Sequence, residues 1–175
     1  MSTVDGCVLL VCSGANGPVP RLADRTDETA RGRPVAALIV SFEGAAGIHD
    51  GLRLVQAADS RAGGLVIDVW HTERAHTPPA DLATVPLPDI VGVELDDADA
   101  EPIGTLFEDT VDRRRLCGEG SFDLPGIIDA LRTAGWRGPW GVEILSEQHR
   151  HTPLHEGVRA AYQTAQAQLA RKPAR

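Results

Sequence analysis

The chain has little cysteine: three residues in 175, at Cys7, Cys12 and Cys117. They are not spaced as a zinc knuckle. Cys7 and Cys12 flank an apolar run, where buried free thiols are common. A reducing, cytoplasmic setting is the expectation. Long apolar runs are also missing, so no segment reads as a membrane span. Val8 to Val11 is too short for the core of a signal peptide, and no basic segment precedes it. Positive charge is in short supply: 17 Lys and Arg stand against 25 Asp and Glu, a net charge of −8. Nucleic acid is therefore not an expected partner, because its backbone is bound by cationic faces. An acidic surface favours solubility and can attract cations. Gly118-Glu119-Gly120 lacks the Lys-Ser/Thr ending of a phosphate loop. No G-x-S-x-G or H-E-x-x-H occurs, which sets aside serine hydrolases and zincins.

What remains is ordinary globular composition, 42% hydrophobic and 24% charged. The length suits one domain over 1–175, with a flexible tail at 171–175. Apolar runs at Cys7 to Cys12, Val35 to Phe42, Leu65 to Asp68, Ile90 to Leu95 and Trp140 to Leu145 read as strands. Between them, helical patterns fall at Arg21 to Ala30, Ile48 to Ala58, a short stretch from Thr77 to Leu82, and Leu124 to Ala134 with Gly135 as its C-cap. Pro153 to Leu169 reads as the closing helix, and Ala98 to Ser121 as a long loop. Alternating strands and helices predict an α/β fold with about five parallel strands.

The central stretch is Gly63 to His71, in which an apolar run ends in Asp68 and His71 follows three residues later. Parallel strands apolar on both faces are covered by helices, and ligands sit at their carboxyl ends. Three successive strands place an acid there: Asp68, Glu94 and Glu143. Clustered carboxylates repel one another unless a cation neutralises them, and such oxygen ligands suit Mg²⁺ or Mn²⁺. Glu143 lies among Val142, Ile144 and Leu145, so its charge needs a metal, a function or an ion pair with one of Arg113 to Arg115. His71 either contacts a substrate or ligates metal, or it only fixes the local loop. Asp68 can equally be a helix N-cap. The Arg113 to Arg115 run is either an anion contact or solvated. His76, His149, His151 and His155 read as exposed.

The segments I-D-V-W-H (67–71), V-G-V-E-L-D-D-A (91–98), R-R-L-C-G-E-G-S-F-D-L (114–124) and A-G-W-R-G-P-W-G-V-E-I-L-S (134–146) together resemble the xylose-isomerase-like TIM barrels. That superfamily includes sugar-phosphate isomerases and epimerases, inosose dehydratases and endonuclease IV. The resemblance covers roughly 35–170 and is strongest from 64 onward. It implies a partial (β/α)8 barrel, lacking its N-terminal part, because a full barrel takes about 250 residues. It also implies a divalent metal, Mn²⁺ or Mg²⁺ with Zn²⁺ or Co²⁺ as alternatives, held by Asp68, Glu94 and Glu143. Glu143 would also shuttle a proton, His71 would contact substrate, and Arg115 or its neighbour Arg114 would bind substrate ahead of the Gly-Glu-Gly segment. This chain departs from the family in having Cys117 where a proline is usual. It also lacks a Glu at the end of Val35 to Phe42, where Glu43 is the only nearby acid.

The implied activity is metal-dependent proton transfer beside a carbonyl of a small sugar or polyol-derived substrate. It resembles that of a sugar phosphate isomerase or epimerase, or of a related dehydratase. The alternative is a catalytically inactive barrel remnant that serves as a binding or assembly module. An open five-stranded sheet has two edges, and a second copy of the chain is the expected cover.

Overall fold

The computed structural model describes residues 8–12 and 35–39 as strands, and residues 47–59 and 63–171 in full. Five parallel strands form one sheet in the order β1-β2-β3-β4-β5. They are β1 (Val8–Cys12), β2 (Val35–Ile39), β3 (Leu65–Asp68), β4 (Ile90–Leu95) and β5 (Trp140–Val142). Sequential strands are spatial neighbours throughout, as in an arc of a barrel. This is the expected α/β partial barrel.

Helix α1 (Ile48–Ala58) connects β2 to β3 and buries Val55 against the sheet. Its N-cap Gly47 donates its backbone N–H to Asp50 at 3.1 Å. Helix α2 (Val69–Arg74) follows β3 without a break, and α3 (Pro79–Leu82) with a short 3-10 turn at Leu87–Asp89 leads to β4. After β4 come α4 (Leu106–Asp112) and α5 (Leu124–Ala134), which feeds β5. The chain then runs through α6 (Glu147–Arg150) and α7 (Leu154–Leu169). In α5, Leu124, Ile127, Ile128 and Leu131 recur at the helical period, and all four are buried. They meet Leu65, Ile67, Val93 and Leu95 from the strands, with Leu82, Val85 and Ala165 closing the core. Gly135 ends α5 in the left-handed region at φ 102°.

Three expectations need correction. The stretch 98–121 is not all loop, because α4 lies inside it. Thr105 accepts from the Glu108 N–H, and Glu108 accepts from the Thr105 N–H in return. That capping box offsets a thin apolar face. The last strand stops at Val142 instead of Leu145, and α6 begins soon after, capped by Ser146. The residues after Asp68 are helical from Val69 on, so His71 is in a first helical turn and not in a loop. The helix expected at 21–30, Glu43 and the end of the tail lie outside the described residues. Among the described residues, no helix is long and apolar enough to cross a membrane.

Candidate metal centre

Register brings the acids together. Asp68 on β3 is the partner of Glu94 on β4, and Glu94 is the partner of Gly141 on β5. Register partners in a sheet project to the same face, and residues two apart along an extended chain share it. Glu143 follows Gly141 by two and stays beside β4 through its backbone N–H, which donates to Leu95 O at 3.1 Å. A side chain at position 141 would crowd Glu94, since a Cβ there would lie 3.3 Å from Glu94 Cγ. Asp68, Glu94 and Glu143 each offer one carboxylate oxygen, and these oxygens lie within 4.8 Å of one another.

Arg114 enters the same space. Its Nη1 donates to Asp68 Oδ2 at 2.8 Å and to Asp96 Oδ2 in a shorter contact, and it lies 3.1 Å from Glu143 Oε2. The rest of the guanidinium is anchored on α4: Nε donates to Thr110 O at 3.0 Å and Nη2 to Thr110 Oγ1 at 2.8 Å. The Trp70 ring lies 5.6 Å from the guanidinium carbon. The backbone that presents Arg114 is clamped on both sides. Asp97 and Arg115 exchange both backbone hydrogen bonds, and the Arg114 N–H donates to Leu145 O at 3.1 Å. Asp97 accepts in addition from the N–H groups of Ala98, Gly118 and Phe122.

Asp68 does two jobs. It caps α2, accepting from the His71 N–H at 3.2 Å, while its other oxygen meets Arg114. Burial alone pushes the Asp68 carboxyl up, but the charges of Arg114 and His71 and their hydrogen bonds outweigh it, holding the group below the usual carboxylate range. The opposite holds nearby. Burial, with Glu143 and Asp68 adding repulsion, raises Glu94 to about 7. Burial and then Asp68 raise Asp96 well above the usual range, against the pull of Arg114. Burial raises Glu143 also, with Arg114 opposing and Asp68 reinforcing. His71 is buried and lowered to about 4 by burial, with Asp68 opposing and Arg114 adding to the shift, so its imidazole is uncharged at neutral pH.

One guanidinium thus contacts three carboxylates, with a fourth, Glu94, grouped beside two of them. Glu94 Oε2, Asp96 Oδ1 and His71 Nδ1 are buried without a hydrogen-bond partner among the described residues. Crowded carboxyls that resist ionisation without a further cation, an orphaned carboxylate oxygen and an all-oxygen donor set fit a hard divalent cation. Asp68, Glu94 and Glu143 are the residues that could hold it.

Residues 39–166 match the family described as the xylose isomerase-like TIM barrel. The chain belongs to that family. Among curated relatives, a 3-dehydroshikimate dehydratase of Pseudomonas aeruginosa is 30% identical over 156 residues, covering 83% of this chain and 24% of that protein. One of the same name from Pseudomonas putida is 29% identical over 107 residues, covering 60% of this chain and 16% of that protein. The chain therefore spans a quarter or less of the length of the curated relatives it matches. In fold it is similar to the IolI protein solved with a bound zinc atom, at a TM-score of 0.81 and 19% identity over 93% of this chain and 62% of that one.

Of the expected site residues in this xylose isomerase-like chain, Asp68, Glu94, Glu143 and Arg114 meet at one centre, and His71 is tied to it through Asp68. Arg115 does not join them. Its side chain is exposed and pairs with Asp99 at 2.8 Å. His76, His151 and His155 are exposed as expected, while His149 is half-buried against α7. Asp96 went unrecognised as a member of the cluster. Its spacing of two from Glu94 was the available signal.

Proposed function

We propose that this chain uses its strand-end carboxylates to hold a divalent cation, Mn²⁺ or Mg²⁺ by donor chemistry, and to move a proton beside the carbonyl of a small polyhydroxylated substrate. The observation that carries this reading is the convergence of Asp68, Glu94 and Glu143 within 4.8 Å, with Glu94 keeping a buried, unpartnered oxygen. When bound, the cation would act as a Lewis acid on the substrate's carbonyl and adjoining hydroxyl. Glu143 is the group suited to take the proton. Its carboxylate is partly open, with 26% side-chain exposure, and its basicity is raised above that of an ordinary glutamate. Arg114 would offset negative charge that develops on the substrate oxygen. His71, uncharged, has a ring nitrogen available to a substrate hydroxyl.

Two outcomes share that first step. Return of the proton to the neighbouring carbon isomerises the substrate, and its return to the same carbon from the opposite face epimerises it. Loss of a hydroxyl from the carbon beyond dehydrates it. Likeness to proteins named 3-dehydroshikimate dehydratase supports the second outcome. A different reading, an inactive module that binds or assembles, draws on Arg114 already neutralising part of the cluster and on the lack of an acid in Val35–Ile39.

Mn²⁺ titration by calorimetry separates the two. Binding that disappears in Asp68→Ala, together with Mn²⁺-dependent exchange of a carbon-bound proton into deuterated solvent from one of a panel of hydroxyketones and hydroxyaldehydes, supports the enzyme. A protein that neither binds Mn²⁺ nor exchanges a proton on any panel member overturns it.

A further inference from the structure

Arg114 and a divalent ion need the same carboxylates. Nη1 carries two hydrogens. Asp68 and Asp96 take both, so Glu143 at 3.1 Å has charge contact with Nη1 but no hydrogen bond from it, and Glu94 has neither. Two of the three grouped ligands, Asp68 and Glu143, are thus bound in part to a cation that the chain itself supplies. Asp96 is the exception. It is completely buried, shares Nη1, and is not one of the three oxygens that converge as a ligand set. Its Oδ1 has no partner, so it retains acceptor capacity for a guanidinium that moves toward it.

We propose that Arg114 is the resident cation of the metal-free cluster, and that Asp96 is a positioning residue that draws the guanidinium away from Asp68 and Glu143 when a divalent ion enters. The inference rests on the divalent-ion reading above. Its physical basis is cation–cation repulsion in a buried setting, where water screens little. Arg114 cannot withdraw far, because Nε and Nη2 are fixed to Thr110 and the ring of Trp70 lies alongside. The exchange is therefore a small transfer of Nη1 between acceptors. It makes ion binding weaker than three carboxylates alone would give, and it keeps the four acids from repelling one another when no ion is present.

The two residues consequently act on affinity in opposite directions. Arg114→Met removes the competing charge and should tighten Mn²⁺ binding by about tenfold or more. Its melting temperature should fall without metal and rise steeply with added Mn²⁺. Arg114→Lys, which keeps the charge, should stay near the wild-type affinity. Asp96→Asn removes the competing negative charge, leaves Nη1 drawn to Asp68 and Glu143, and should weaken Mn²⁺ binding by about tenfold. Affinity is read by the loss of free-Mn²⁺ electron paramagnetic resonance signal, with melting curves of the full chain alongside.

Tighter binding in Arg114→Met with weaker binding in Asp96→Asn supports the exchange, as does binding by Arg114→Met where the wild type binds nothing. Equal or weaker binding in Arg114→Met, when the wild type binds, overturns it and leaves the divalent-ion reading standing. Should Arg114→Met be unfolded without metal, refolding on Mn²⁺ addition supports the proposal, and a chain still unfolded in saturating Mn²⁺ overturns it. No binding by the wild type or by any variant removes the divalent-ion reading itself.

Discussion

The indole N–H of Trp70 donates to Asp109 Oδ2 at 2.8 Å, joining α2 to α4 across 39 residues of sequence. The same oxygen accepts from Arg74 Nε at 3.0 Å, and Asp109 Oδ1 accepts from the Ile103 N–H at 3.0 Å. Trp70 thereby holds two parts of the centre in place. Its ring lies edge-on to His71, with centroids 4.9 Å apart, and beside the Arg114 guanidinium.

Asp109→Ala should consequently be among the most damaging changes outside the acidic cluster. It strips buried Arg74 of its carboxylate and leaves the indole N–H unpaired. Removing one member of a buried pair costs about 3–5 kcal/mol. Chemical denaturation should show a loss of that order, whereas Arg115→Ala, which breaks an exposed pair with Asp99, should cost well under about 1 kcal/mol.

Glu94 stores instability that a conservative change should release. Its carboxyl is raised from 4.5 to about 7, so the folded chain holds this proton more tightly than the unfolded chain does. The group's stabilising contribution is full below about 4.5 and is lost as pH rises through about 7. Glu94→Gln has no such loss. In metal-free buffer it should match wild type near pH 4.5 and exceed it at pH 8 by on the order of 1 kcal/mol, a figure discounted for partial solvent access. Melting temperatures at the two pH values test this. An equal offset at both would argue against a strained carboxylate.

His71 works in the reverse sense. Its folded value of about 4 lies below the ordinary 6.5, so the unfolded chain binds the proton more readily. The stability of the neutral buried imidazole is present above about 6.5 and drains away as pH falls toward 4. The advantage of wild type over His71→Asn should shrink across that window, by up to about 3 kcal/mol. The His71 ring resonances in NMR should show no titration near pH 6.5.

Gly120 is the backbone's weak point. A Cβ there would overlap the Ala98 carbonyl oxygen and Asp97 Oδ1 and come within 2.7 Å of Ala98 N. These are the groups that clamp the segment carrying Arg114, because Ser121 N–H donates to Ala98 O and Asp97 accepts from both 118 and 122. Gly120→Ala should destabilise by about 1–3 kcal/mol, as overpacking does. It should also change the Mn²⁺ affinity, whereas Gly47→Ala, with no atom near its Cβ, should leave that affinity unchanged.

Much of this architecture was legible in the sequence. The strand Ile90–Leu95 and the helices Ile48–Ala58 and Leu124–Ala134 agree with their apolar periodicity to the residue, and an acid ends or follows each of the three strands that build the centre. Periodicity and turn chemistry are local, so one chain reports them directly. Helix α4 was missed although Thr105 and Glu108 carried its capping signature, because so few of its residues are apolar.

The sequence by itself determined the parallel strand–helix order and the acids Asp68, Glu94 and Glu143 at the carboxyl ends. Only the tertiary structure decided which of three adjacent arginines enters the cluster and which acid besides those three it meets. Arg113, Arg114 and Arg115 are the same residue type in one run, yet only Arg114 is turned inward, by clamps to Asp97 and Leu145 on either side. Its contacts with Asp68 and Asp96 bridge 46 and 18 positions. No local pattern encodes a meeting over such separations. It follows from strand register and from where α4 packs, and those are properties of the folded chain as a whole.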